Sequence, residues 1–306
     1  MALLLREADV ERLGDIGSVM DAVEAAMTDL GKGEAQNQPR RRVFPPGGVL
    51  NVMFASWPAG GVSGLKSYTV GGGKARFLVV LYDLGGEPIA LIEADRLGAF
   101  RTGAATGVAV RRLAPPGPKT VAVIGAGWQA RTQVAALQLA LDIAELRVFS
   151  RTSERRHRFA AEVGGVAAES PEAAVRGADV VVTITNSATP VFESAWVRPG
   201  ALVVGAGSNF PTRAEVPAEL VHGARAVVVD QLEAARLESG DMLYAGYDVD
   251  RAVELGTVLA GKAAVPDGEA PLLFESHGLA LWDLAAGKVL LEAARAQGVG
   301  EEIRLF

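Results

Sequence analysis

The chain contains no cysteine. That excludes disulfides, thiol nucleophiles and thiolate metal sites. Histidine is scarce too: three residues, His157, His222 and His277, stand far apart with no metal-ligand spacing, so no metal is expected. A basic excess is also missing. Thirty Lys and Arg face 36 Asp and Glu, a net charge of −6. The cluster Arg40-Arg41-Arg42 is too short to make a basic face, so a nucleic-acid partner is not expected. Long hydrophobic runs are absent. The opening MALLLREADV meets charges after a short apolar stretch, too little for a signal peptide, and no run reaches membrane-spanning length. The expectation is a soluble cytoplasmic protein with no membrane partner.

What is present is a large apolar fraction, 49%, in 306 residues with 36 glycines. That is enough for two domains and a sizeable core. The richest stretch is Thr120 to Ala130, TVAVIGAGWQA. Four apolar residues run into Gly125-Ala126-Gly127 and then into a helix start. This is the dinucleotide-binding pattern GxGxxA, in which a helix N-terminus receives a phosphate. Five Val-rich runs follow the order of a covered parallel sheet: Thr120–Gly125, Glu145–Ser150, Asp179–Thr185, Ala201–Gly205 and Ala226–Asp230. Helical patterns at Gln129–Leu141 and Ser153–Val163, and a further one from Ser170, lie between them. The fold class is α/β, with a doubly wound (Rossmann) NAD(P)-binding domain over residues 114–279.

Residues 1–113 read differently. An amphipathic helix at Ile16–Leu30 precedes short strands at Val43-Phe44, Val49–Ala55, Gly64–Val70, Phe77–Asp83 and Pro88–Glu93, divided by glycine turns. A small-residue helix, Ala94–Leu113, leads into the linker APPGP. The tail helix, Gly278–Gln297, is expected to fold back on this first part. Residues 1–113 with 280–306 would then form a discontinuous α+β domain.

Several residues carry candidate chemistry. The turn supplies Gly125, Gly127, Trp128 and Gln129 for the cofactor. No acid ends the second strand, where NAD sites place one; Ser150, Arg151, Thr152 and, one turn on, Arg155 stand there instead. Hydroxyls and a guanidinium suit a 2′-phosphate, so NADPH is expected over NADH. Thr185, Asn186, Gly205 and Ser208 follow strand ends that face a bound nucleotide. Asp230 is the one carboxylate closing a wholly apolar strand, either as an acid/base or as a helix N-cap. In the first part, Arg41, Lys66 and Arg101 are cations able to hold a carboxylate.

These residues resemble the ornithine cyclodeaminase/mu-crystallin family over nearly the whole chain. The likeness rests on QPRR at 38–41, Gly64-Leu65-Lys66, FRTGAA at 100–105, GAGWQA at 125–130, Gly207-Ser208-Asn209, Val229-Asp230 and ESGD at 238–241. The resemblance implies that Arg41, Lys66 and Arg101 bind the carboxylate of a small amino or imino acid. It implies that Thr102 lies near the cofactor phosphates or the substrate, and that Asp230 is the acid/base, with Lys66 as the other candidate for moving the proton. It also implies a homodimer formed through the first domain's sheet. Where the cyclodeaminases of the family need an acid for a distal ammonium, this chain aligns Asn51. The neutral amide and the NADP-type strand end favour a reductase of imino acids. Ornithine cyclodeamination, alanine dehydrogenation and ligand binding without turnover are the alternatives.

Overall fold

The computed structural model describes residues 1–305. In chain order the elements are β1 (Ala2–Leu5), α1 (Glu7–Leu13), α2 (Ile16–Lys32), β2 (Gln36–Val43), β3 (Gly48–Trp57), β4 (Val62–Gly71), β5 (Lys74–Tyr82), β6 (Pro88–Glu93) and α3 (Asp95–Leu113). The second half holds β7 (Lys119–Ile124), α4 (Ala130–Ala140), β8 (Ile143–Phe149), α5 (Ser153–Glu162), β9 (Val166–Ala167), α6 (Pro171–Val175), β10 (Val180–Thr183) and β11 (Leu202–Gly205). Then come α7 (Ala218–Gly223), β12 (Ala226–Val229), α8 (Leu232–Glu238), α9 (Gly240–Ala245), β13 (Val253–Glu254), α10 (Leu255–Leu259), β14 (Leu272–Glu275), α11 (Ala280–Gln297) and β15 (Glu301–Ile303).

The strands build two sheets. The first is seven-stranded, in the order β15-β1-β6-β5-β4-β3-β2, and is antiparallel from β6 to β2. Its inner face carries Met53, Ala55, Val79, Leu81 and Ile92, all buried. Helix α11 lies over β2 to β5, with α2 and α3 beside it. The second sheet is eight-stranded and wholly parallel, in the order β13-β12-β14-β11-β10-β7-β8-β9. Val121 and Val123 pack into one apolar cluster, Ala122 and Ile124 into another. Both faces are therefore covered at the middle of the sheet, which is why β7, β10, β11 and β12 read as apolar runs.

Helix α3 links the two halves, and its small residues have a packing reason. A Cβ on Gly103 would lie 2.3 Å from the Thr132 carbonyl oxygen of α4, and one on Gly107 would lie 2.6 Å from Met20 of α2. The helix is buried on nearly every side.

Six strands escape the sequence pattern, β1, β2, β9, β13, β14 and β15, and two of them bear on the site. Strand β14 (LLFE) lies between β11 and β12. Strand β2 is QNQPRRRV, almost wholly polar. It is an edge strand, and its pairing with β3 slips between Gln38 and Arg41, a bulge that accommodates Pro39.

Candidate active site

The bulge in β2 decides which arginine turns inward. Side chains alternate along a strand, and one extra residue reverses the parity. Gln38 pairs with Phe54, and Arg41 with Val52, so three steps on β2 match two on β3. Arg41 therefore points outward: its side chain is 61% exposed and meets Glu233 at 3.4 Å. Arg40 points inward and is 1% exposed, ion-paired with the fully buried Glu238. The structure thus corrects the placement of Arg41 among the inward cations; Arg40 stands there.

The other two cations reach the same region. Lys66 lies on β4 opposite Met53, and its Nζ donates to Asp283 Oδ1 at 2.7 Å. Arg101 on α3 has Nε 3.2 Å from the same oxygen. Asp283, on α11, is wholly buried. Burial pushes the Lys66 ammonium down to about 8, against the pull of Asp283 and with Arg101 adding to the fall. Arg42 reaches from β2 to the Asn209 carbonyl at 2.9 Å and lies over the Phe210 ring at 4.6 Å. It joins the first sheet to the loop after β11.

Asp230 follows β12 at the carboxyl edge of the parallel sheet and is 1% exposed. Three backbone N–H groups and the His277 ring converge on it. Oδ2 accepts from the backbones of His277 and Gly278, each at 2.7 Å. Oδ1 accepts from the Gln231 backbone at 2.8 Å and lies 3.2 Å from His277 Nδ1. Helix α8 is capped by Gln231 without a side-chain bond, so Asp230 is not an N-cap. The network is continuous. Arg40 donates to the His277 carbonyl at 3.4 Å, and the Arg101 guanidinium sits close against Gly278. Lys66, Arg101 and Asp230 are thus gathered around one buried centre, with Arg40.

Sequence reading missed the carboxylates that support this centre. Glu238, Asp283, Glu215, Asp241 and Glu275 are all buried. Glu215 accepts from the Thr185 backbone at 2.6 Å and from Gly207 at 2.7 Å, tying the loops after β10 and β11 together. Burial pushes its carboxyl up to about 7. Asp241 in turn accepts from the Glu215 and Val216 backbones, both at 2.7 Å. Burial, with Asp241 and Glu215 nearby, drives Glu275 well above the usual carboxylate range. The ESGD run was the one available signal: it brings Glu238 and Asp241 to the site.

The turn after β7 fits a dinucleotide. Gly125 has φ +128°, and a Cβ there would strike the Ile184 carbonyl at 2.3 Å. A Cβ on Gly127 would meet nothing within 4 Å, so open space lies over the N-terminus of α4. Trp128 is exposed, with Arg96 over its ring at 4.9 Å, and Gln129 is the α4 cap residue. Thr102 is buried on α3. Its hydroxyl donates to Gly98, and its carbonyl accepts from Gln133 of α4. Ser150 is half-buried at the end of β8, while Arg151, Thr152 and Arg155 are exposed beyond it. Arg156 is instead used structurally, donating to Glu169 at 3.0 Å. Thr185 is half-buried and Asn186 exposed. Gly205 lies against Glu275, where a Cβ would come within 2.8 Å of Oε1. Ser208 is buried. Among the described residues no group of three or more His, Asp or Glu could hold a metal, and no helix is long and apolar enough to cross a membrane.

The model of the ornithine cyclodeaminase/mu-crystallin family matches residues 2–298. A Δ1-pyrroline-2-carboxylate reductase of Bacillus cereus is 39% identical over 239 residues, covering 74% of this chain and 73% of that protein. The mouse ketimine reductase mu-crystallin is 32% identical over 307 residues, covering 95% and 97%. Among solved structures, an archaeal alanine dehydrogenase dimer with bound NAD is 31% identical, covers 100% of this chain and 99% of that one, and superposes with a TM-score of 0.93. The Thermococcus litoralis Δ1-pyrroline-2-carboxylate reductase, in complex with NADH and L-proline, is 28% identical with a TM-score of 0.89, covering 98% and 100%. The parallel sheet is accordingly of the Rossmann type, and the chain belongs to the ornithine cyclodeaminase/mu-crystallin family.

Proposed function

We propose that this protein is an NADPH-dependent reductase of a small imino acid. The substrate is a cyclic ketimine such as Δ1-pyrroline-2-carboxylate, or the imine of a 2-oxo acid and an amine. The product is the L-amino acid. The protein is an NAD(P)-dependent oxidoreductase acting at a carbon–nitrogen bond. The observation that carries this reading is the buried gathering of Arg40, Lys66 and Arg101 with Asp230 at the carboxyl edge of the parallel sheet.

Arg40 and Arg101 bind the substrate carboxylate, Arg40 already held by Glu238 and Arg101 by the Asp283 it shares with Lys66, so little reorganisation is needed. Lys66, with a value of about 8, carries a proton at neutral pH and releases it readily. Its Nζ protonates the imine nitrogen, making the adjacent carbon a better hydride acceptor. A bound nicotinamide supplies the hydride. Asp230 exchanges the second proton, the one that separates amine from ammonium in the product. Gly125, Gly127, Trp128 and Gln129 hold the pyrophosphate end of the dinucleotide at α4, with Thr102 behind them. Thr185, Asn186, Gly205 and Ser208 line its path across the strand ends.

The cofactor preference rests on the end of β8. Arg151, Thr152 and Arg155 are exposed there beside Ser150, and no acid occupies the place of a ribose acceptor. Asn51 is buried and uncharged, which favours reduction over ornithine cyclodeamination. Residues 1–113 and 280–306 form the substrate and dimerisation domain, and the protein acts as a homodimer.

The test is oxidation of NADPH and NADH over a panel of imines: Δ1-pyrroline-2-carboxylate, Δ1-piperideine-2-carboxylate, and pyruvate with ammonia or methylamine. The expected result is turnover of at least one imine, with NADPH preferred. Ammonia release from ornithine without consumption of added NADPH would instead assign a cyclodeaminase. Tight ligand binding with no turnover of any imine would assign a binding protein.

A further inference from the structure

His277 is the one histidine buried beside the reaction centre, and the proposed chemistry leaves it without a role. Its side chain is wholly inaccessible. Nδ1 lies 3.2 Å from Asp230 Oδ1, while Nε2 has no hydrogen-bond partner and lies 3.8 Å from Glu275 Oε2. Its backbone N–H also donates to Asp230, so residue 277 grips both carboxylate oxygens. A carboxylate only accepts, so Nδ1 carries the hydrogen. The titratable and charged groups that face this residue are Asp230, Glu275 from β14, Glu238 from α8 and Asp241 from α9, with Arg40 from β2 at its carbonyl and Arg101 from α3 against Gly278. Burial alone would lower the imidazole, but Asp230, followed by Glu238 and Asp241, outweighs it and raises the group above its ordinary value.

We propose that His277 is the positioning residue of Asp230: its Nδ1–H fixes the carboxylate, and its charge sets the pH range over which Asp230 exchanges protons with the substrate nitrogen. The proposal rests on the acid/base reading of Asp230. An imidazolium beside Asp230 favours the carboxylate form, so removing that charge moves the acid limb of activity to higher pH.

The experiment compares pH profiles of the wild type with His277→Asn, His277→Leu and Asp230→Asn. His277→Asn keeps an N–H near the Nδ1 position and cannot titrate. His277→Leu keeps neither. His277→Leu is expected to lower kcat by about tenfold or more, as expected for a misplaced acid/base group, with KM for NADPH unchanged. His277→Asn is expected to restore most of the plateau rate but to shift the acid limb upward by about one pH unit, the scale for loss of a neighbouring opposite charge. A His277→Asn profile that superposes on the wild type overturns the proposal, as does a His277→Leu enzyme with the wild-type kcat. Asp230→Asn separates the two levels. If it retains the wild-type rate and profile, the acid/base reading itself fails and this proposal with it. If it loses activity while the His277 variants do not, only this proposal fails. A readout independent of folding of the variants comes from the wild type with ¹⁵N-labelled histidine. The His277 signals must show hydrogen on Nδ1, and an unprotonated Nδ1 overturns the proposal.

Discussion

At the residue scale, adjacent arginines separate packing from chemistry. Arg40 and Arg41 are neighbours in sequence but lie on opposite faces of β2. Arg41→Ala removes an exposed pair with Glu233, and such pairs contribute about 0–1 kcal/mol. KM for the imino acid and thermal stability are expected to stay within experimental scatter. Arg40→Lys keeps the charge opposite Glu238 but loses the planar fork that matches a carboxylate. KM for the imino acid is expected to rise by roughly tenfold or more, on the scale of a charge-assisted hydrogen bond. If the two variants exchange these effects, the inward assignment of Arg40 is wrong. Lys66 gives a pH test. Its value of about 8 is lowered by burial, so the ammonium is present below that pH and lost above it. The rate of imine reduction is therefore expected to fall as pH rises through about 8. In Lys66→Met that limb should vanish and kcat should drop about a hundredfold, the usual scale for a lost general acid. A falling limb that persists in Lys66→Met would assign it to another group.

At the element scale, the turn between β7 and α4 contains two glycines required for different reasons. Gly125 needs its φ of +128° and closeness to Ile184, so Gly125→Ala strains the fold itself and should lower Tm. Gly127 has open space before it. Gly127→Ala should leave Tm nearly unchanged, within the ~0.5 kcal/mol of an unconstrained site, yet weaken NADPH binding because the new methyl enters the phosphate's space. Tm and Kd measured on both variants check this; a Gly127→Ala protein that binds NADPH like the wild type places the phosphates elsewhere. The elements also explain what the sequence made legible. Strands β7, β10, β11 and β12 are legible because cover on both faces leaves a continuous apolar run, whereas β8 carries Glu145 and Arg147 among its apolar residues. Lys66, Arg101 and Asp230 stood out because a charge within an apolar strand or small-residue helix is conspicuous. Strand β2 was not readable, since its inward positions hold Asn37, Arg40 and Arg42 rather than apolar residues. Its bulge is set by pairing with β3, which no local pattern reveals, so the sequence alone does not tell Arg40 from Arg41. With β14 unseen, nothing placed His277 beside Asp230.

At the scale of the whole molecule, the first sheet has one covered face and one that is not. Helix α11 packs on the inner face over β2 to β5, with α3 against β5 and α1 against β1 and β6. On the outer face Phe54, Leu65, Val80 and Leu91 are direct cross-strand neighbours, forming an apolar ridge over four strands, with Leu78 alongside. Phe54 is 51% exposed and Leu78 37%. A contiguous apolar ridge left in water is unfavourable by about 25 cal/mol for each Å² that a partner would remove. A twofold pairing of two such sheets buries both ridges at once and needs no other partner. The expected species in solution at micromolar concentration is therefore a dimer. Phe54→Glu with Leu65→Glu puts two like charges on each protomer at the centre of that ridge, where pairing would bury four without partners. Neither side chain reaches the inner face, so the monomer's own core is left intact. Analytical ultracentrifugation is expected to show the dimer mass for the wild type and half of it for the double variant, with the far-UV circular dichroism unchanged. A wild type that sediments as a monomer, or a double variant that stays dimeric, would show that this face is not where the protein associates.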